Sequence, residues 1–135
     1  MGKVRINVKL INATDEGVAR RGLLQPEQVR QYAAAAMVDT SAVVSVLPRQ
    51  VFQQLGLAAV RRERERFANE AEEDVDVTEA VGLELEGRRT TEEMFVLGDE
   101  VLIGQTVLER LDLLVDCRNG RLLPGHPQGL VLKIK

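Results

Sequence analysis

Reactive side chains are scarce in this chain, which has one cysteine, one histidine, no tryptophan, one tyrosine and three phenylalanines. Cys117 and His126 cannot between them build a zinc cluster or a disulfide framework, and any Ser/His/Asp or Cys/His triad would have to use that one imidazole. His126 lies in Pro124-Gly125-His126-Pro127, a turn-forming stretch, and reads as a surface loop residue. Carboxylate, hydroxyl and backbone groups remain for chemistry, with no metal and no cofactor expected. A basic surplus is also missing: 18 Lys and Arg against 21 Asp and Glu give a net charge of −3, which argues against a phosphate-backbone partner and so against nucleic acid. No run of about 18 apolar residues exists, so no membrane-spanning helix and no membrane partner is expected. Lys3, Arg5 and Lys9 interrupt the apolar residues near the start, which is unlike a signal peptide, and Ile6 stands where a myristoylation signal needs Ser or Thr. A cytoplasmic protein is the expectation.

The 135 residues suit one domain spanning 1–135, at roughly 150 residues per domain. A hydrophobic content of 44% is enough for a conventional core. Alternation of period two marks a strand over Val4 to Ile11, and Asn12 to Gln28 reads as a connection with room for a turn of helix. Gln31 to Met37 has helical propensity through its alanines, but apolar Val29 to Val38 running into Asp39 is better read as a buried strand ending at a functional turn. Val43 to Leu47 is β-branched and apolar. Pro48 and Gly56 then bracket a helix, with Pro48 at its first position and Val51, Phe52 and Leu55 facing inward.

Helix and solvated strand compete over Ala58 to Phe67, where mixed charges suggest a wet face. Acidic Asn69 to Asp74 suits a hairpin tip. Val75 to Thr78 and Val81 to Leu85 alternate as strands, and Gly87-Arg88 turns into a further strand through Met94 to Leu97. Val101-Leu102-Ile103 is a short buried strand. The Thr106 to Glu109 spacing fits a capping box at the start of a brief helix, and Asn119-Gly120 marks a hairpin between Leu113–Cys117 and Arg121–Leu123. Val131 to Lys135 alternates again and offers an edge that wants a partner. The expected fold is mainly β, with eight to ten short strands and two short helices.

The chemically informative stretch is Met37-Val38-Asp39-Thr40-Ser41-Ala42, where a carboxylate falls between two apolar strands and needs compensation or a use. Together with Val101-Leu102-Ile103-Gly104-Gln105-Thr106-Val107-Leu108 some sixty residues later, and with Val115-Asp116 to Leu123 beyond that, this stretch resembles the retropepsin-like aspartic proteases of clan AA. In that family an Asp-Thr-Gly-Ala segment runs into a hydrophobic strand, and a second apolar strand ends in Ile-Gly before a short helix. The resemblance covers nearly the whole chain except Asn12 to Gln28, and is greatest to small stand-alone prokaryotic members.

The resemblance implies a half-barrel acid-protease fold active as a symmetric homodimer, because the chain carries one motif and hydrolysis by carboxylates needs two of them sharing a proton. It implies an endopeptidase acting on a peptide or unfolded protein, with Asp39, Thr40 and Ser41 as the catalytic motif. Thr40 would lock the two motif loops across the axis, and Gly104 would permit close backbone approach behind Asp39. Ala42 and a flap containing Phe67, Ala68, Asn69 and Glu70 would hold an extended substrate by strand addition. Ser41 replaces the usual glycine, which would cost about 1–2 kcal/mol if φ there were positive. Val43 and Val44 replace polar residues, and the flap tip lacks glycine. The competing class is a non-catalytic dimer of the same fold serving as a peptide-binding or scaffolding module. A phosphatase of the haloacid dehalogenase type is disfavoured, since Ser41 occupies its second acidic position and helical crossovers are missing.

Overall fold

The computed structural model describes residues 3–128, so the alternating segment Val131 to Lys135 lies outside the described residues. Strand β1 (Val4–Asn12) buries Val4, Ile6, Val8 and Leu10 and exposes Arg5, Asn7 and Lys9, as its period requires. It pairs antiparallel with β2 (Gln31–Val38), from Val4 opposite Val38 to Ile11 opposite Gln31. The alanine run is thus a strand, since hydrogen bonding to β1 overrides the helical propensity of alanine, but it is not the buried strand expected: Ala36 alone is fully buried, and Gln31, Ala33 and Ala35 are exposed.

The connection after β1 holds more helix than its composition suggested. Asn12 accepts a 2.9 Å hydrogen bond from the Asp15 backbone N–H and caps α1 (Ala13–Arg20), with Asp15 and Glu16 in the first turn and Arg20 in the last. Buried Asn12 also donates to the Leu55 carbonyl at 2.8 Å, and Asp15 accepts from the Arg30 backbone, Nε and Nη2 at 2.8–3.0 Å. The excursion is therefore clamped to the body of the molecule, and Arg30 holds the Asp15 carboxyl below its usual range.

Of the apolar run before Pro48, only β3 (Val46–Leu47) pairs as strand; Val43 and Val44 lie in a bend. Helix α2 (Arg49–Gln54) begins one residue later than expected, with Pro48 as its N-cap, and Gly56 ends the unit at φ 62°. Strands β4 (Ala59–Arg66) and β5 (Glu72–Thr78) form a long hairpin, so the mixed-charge run is a strand. Strand β6 (Val81–Leu85) turns through Glu86 and Gly87, both at positive φ, into β7 (Arg88–Glu92).

Met94 to Leu97 is not a continuation of β7. The chain leaves β6 at Glu93, Met94 exchanges bonds with buried Thr78, and β8 (Phe95–Val96) pairs with β3 and β5 instead. Then follow β9 (Leu102–Ile103), α3 (Gln105–Leu111) and the hairpin β10 (Leu113–Asp116) and β11 (Arg121–Pro124). The capping box at Thr106 does not form. Gly104 is the N-cap of α3, and the Thr106 hydroxyl bonds the Val43 carbonyl and Glu92.

The main sheet has nine strands in the order β4-β5-β8-β3-β9-β2-β1-β6-β7, curled as a half-barrel around Leu10, Leu47, Leu55, Leu83, Met94, Ile103 and Leu108. Among the described residues there are eleven strands, not eight to ten, and three short α-helices, not two. Strand β9 inserts between β2 and β3, parallel to the first and antiparallel to the second. That insertion places the end of β2 against the start of α3. No helix among the described residues is long and apolar enough to cross a membrane.

Candidate active site

Asp39 follows the last residue of β2, and its backbone N–H donates to the Ile103 carbonyl at 2.9 Å, extending the parallel pairing with β9. The turn closes when the Ala42 N–H donates to the Asp39 carbonyl at 3.2 Å. Both the backbone N–H of Ser41 (3.0 Å) and its hydroxyl (2.6 Å) donate to Asp39 Oδ1, so the serine orients the carboxylate through one oxygen. Left-handed backbone at non-glycine positions is confined to Glu70, Glu86 and Asp112 among the described residues. Ser41 therefore lies at negative φ, and the strain expected of a serine in the glycine position is not present.

The segment after Asp39 is tied to α3. Ala42 and Val43 carbonyls accept from the N–H groups of Gln105 (2.8 Å) and Thr106 (3.2 Å), satisfying donors at the start of the helix. Between these bonds, the Gly104 N–H donates to Ser45 Oγ at 2.8 Å, a contact with the serine fully buried. A Cβ on Gly104 would stand 2.8 Å from the Val44 carbonyl carbon and 2.9 Å from the Ala42 and Val44 oxygens. At φ −91° the residue needs glycine for space and not for conformation.

Across from this loop lies the tip of the β4–β5 hairpin. Phe67 N–H donates to the Ala71 carbonyl and Glu70 N–H to the Phe67 carbonyl, both at 2.9 Å, while Asn69 Oδ1 accepts from Ala71 N–H at 3.0 Å. Glu70, not Asn69, takes the left-handed conformation, at φ 68°. On one face of the hairpin, directly opposed residues pair by charge: Arg62 with Asp76, Arg64 with Asp74 and Arg66 with Glu72. Arg66 and Arg64 hold Glu72 below the usual carboxylate range, and Arg49, then Arg62, do so for Asp76. Arg49 also stands over the Phe52 ring, fixing the hairpin base to α2.

A cavity of about 650 Å³ separates loop and hairpin. Asp39, Ser41 and Ala42 line one side and Phe67 and Ala68 the other, with Val43, Val44, Phe95, Leu97 and Leu102 giving it an apolar wall. Of the remaining expected site residues, Thr40 is exposed beside Asp39, Asn69 and Glu70 occupy the exposed hairpin tip, and Gly104 is buried behind the loop; none of the four lines the cavity in a single chain. Ser45 was legible only as a lone hydroxyl in an apolar run, and Phe95, Leu97 and Leu102 only as core. A second concavity, of about 540 Å³, lies over β1, β6 and β7, away from Asp39. His126 is exposed as expected, with Nδ1 2.9 Å from Asp112. No cluster of metal-ligating side chains occurs among the described residues.

No protein-family model and no curated protein sequence matches the chain. Solved structures do. The retroviral protease-like domain of Ddi1 from Leishmania major superposes with a TM-score of 0.58 at 13% identity, covering 92% of this chain and 89% of that one. The solution structure of simian foamy virus (mac) protease superposes with a TM-score of 0.51 at 14% identity, covering 79% of this chain and 93% of the viral one. At these identities the likeness is one of fold, and the fold is retropepsin-like.

Proposed function

We propose that the chain, taken as one retropepsin-like unit over 1–135, is an aspartic endopeptidase that works as a symmetric homodimer. The observation that carries this reading is the position of Asp39: its carboxylate lines the cavity beneath the hairpin, at the crossing of β2, β9 and α3, in a retropepsin-like fold. Each chain supplies one such aspartate, so a pair requires two chains related by a two-fold axis. Two carboxylates brought together cannot both ionise readily and share one proton. The ionised partner then takes a proton from water as it attacks the peptide carbonyl, and the protonated partner donates to the carbonyl oxygen.

Ser41 orients Asp39 through Oδ1, and Thr40, exposed beside it, would bond its counterpart across the axis. An extended peptide or unfolded protein segment would lie between the loop and the flap formed by Phe67, Ala68, Asn69 and Glu70, its main chain paired as an added strand. The chemistry needs no cofactor.

The test is degradation of casein between pH 4 and 7 by the wild-type protein and by Asp39→Ala, with sedimentation at micromolar concentration in parallel. Turnover lost in Asp39→Ala and a dimeric wild type are expected. A monomer under conditions of full turnover refutes the shared dyad, and peptide binding without turnover identifies a scaffolding dimer instead.

A further inference from the structure

The two faces of the β4–β5 hairpin carry opposite electrostatic arrangements. The face bearing Arg62, Arg64 and Arg66 is neutralised rung by rung by Asp76, Asp74 and Glu72. On the other face, period two places Arg61, Glu63 and Glu65 with Val75 and Val77; Arg61 is taken up by Glu63 and Glu93 at 2.7 and 2.8 Å, and the register sets Glu65 directly opposite Glu73. Like charges so opposed are unfavourable, and neither carboxylate has a hydrogen-bond or ion-pair partner among the described residues. Glu65 lines the cavity that Asp39 also lines, and so does exposed Asp99, again with no partner among the described residues. Among the described residues, the one cation on the lining is Arg66, which is committed to Glu72 at 2.7 Å. An apolar cavity thus carries uncompensated negative charge at its rim, an arrangement that favours a cationic occupant beside an apolar one.

We infer that the cleft selects polypeptide segments with a lysine or arginine flanking the apolar residue that fills it, and that Glu65 and Asp99 read this charge. The inference rests on the peptide-cleaving reading of the site and names its substrate class.

The test uses fluorescein-labelled peptides that share an apolar centre and differ at one flanking residue, Lys, Gln or Glu. Binding to full-length Asp39→Asn is read by anisotropy, and turnover by the wild type is read separately. The Lys peptide should bind about fivefold more tightly than the Glu peptide, which equals about 1 kcal/mol, the upper range for exposed pairs. The ratio should fall toward one in 0.5 M salt, and toward one when Glu65→Gln and Asp99→Asn are added to Asp39→Asn. Charge reversal by Asp99→Lys should favour the Glu peptide, which guards against a neutral variant that misfolds. Equal binding of the Lys and Glu peptides, a preference that survives both neutralisations, or no binding of any peptide overturns the inference. A charge preference in binding with no wild-type turnover overturns the endopeptidase reading alone, and turnover without charge preference overturns the inference alone.

Discussion

Replacing Gly104 by alanine puts a methyl group against backbone that has nowhere to go. The new carbon would stand 2.8–2.9 Å from the carbonyl carbon of Val44 and the oxygens of Ala42 and Val44, closer than carbon atoms tolerate. Those atoms belong to a segment fixed by bonds from Gln105 and Thr106, so relief requires moving the segment after Asp39 away from α3. Overpacking of this kind costs about 1–3 kcal/mol. Lengthening the buried bond from Gly104 to Ser45 adds about 1 kcal/mol. Because φ is −91°, alanine suffers no backbone strain and gains about 0.5–1 kcal/mol from a less mobile unfolded chain.

The net is a loss of about 1–3.5 kcal/mol, which in a chain of this size lowers Tm by roughly 3–10 °C. Gly17→Ala is the control: it lies within α1, where the added carbon meets only arginine ends at 3.8 and 4.0 Å, so about 0.5–1 kcal/mol of stabilisation follows. Thermal and urea unfolding followed by circular dichroism checks both. Gly104→Ala within about 1 °C of the wild type would refute the packing argument.

Three further outcomes follow from the same geometry. Ser41→Gly removes a hydroxyl that bonds Asp39 and adds glycine's unfolded-state entropy at a position with negative φ, so Tm should fall by an amount equivalent to about 1–2 kcal/mol; a rise would revive the strain argument. Asp39→Asn keeps an oxygen that Ser41 can bond, so Tm should stay within about 2 °C while casein turnover disappears; a large loss of stability would make Asp39 structural. Asp15→Asn exchanges a carboxylate held by Arg30 for a neutral amide, and should lower stability at pH 7 by about 1–2 kcal/mol after screening at half-exposed Arg30 is allowed for. Because the folded-state pKa of Asp15 is depressed, that contribution is complete above the ordinary carboxyl value near 3.9. It is lost as pH falls through the lower folded value, so wild type and variant should converge in urea titrations there, and a constant gap would refute the assignment.

Alternation along the chain was enough to read β1 and β6, because each buries one face and one-face burial leaves a pattern in sequence; β2 was read from an apolar run into Asp39, and the helix after Pro48 from its bracketing proline and glycine. The prominence of Asp39-Thr40-Ser41 was legible for a related reason: a carboxylate between apolar strands is energetically conspicuous. Local patterns misled where a distant partner decides the outcome. Thr106 spends its hydroxyl on Val43 and Glu92 and not on a cap, Met94 to Leu97 leaves β6 because Thr78 and β3 offer its bonds, and Asn12 starts a helix because its amide is also held by Leu55. The backbone angle at Ser41, the burial of Ser45 beneath Gly104 and the opposed carboxylates of Glu65 and Glu73 depend on register and strand order. Insertion of β9 between β2 and β3 joins residues some sixty positions apart, and no local propensity encodes it. Composition and pattern tell which residues are apolar, charged or able to turn; which of them meet is set by the folded sheet, since hydrogen bonds and packing across such separations are satisfied by all its strands at once.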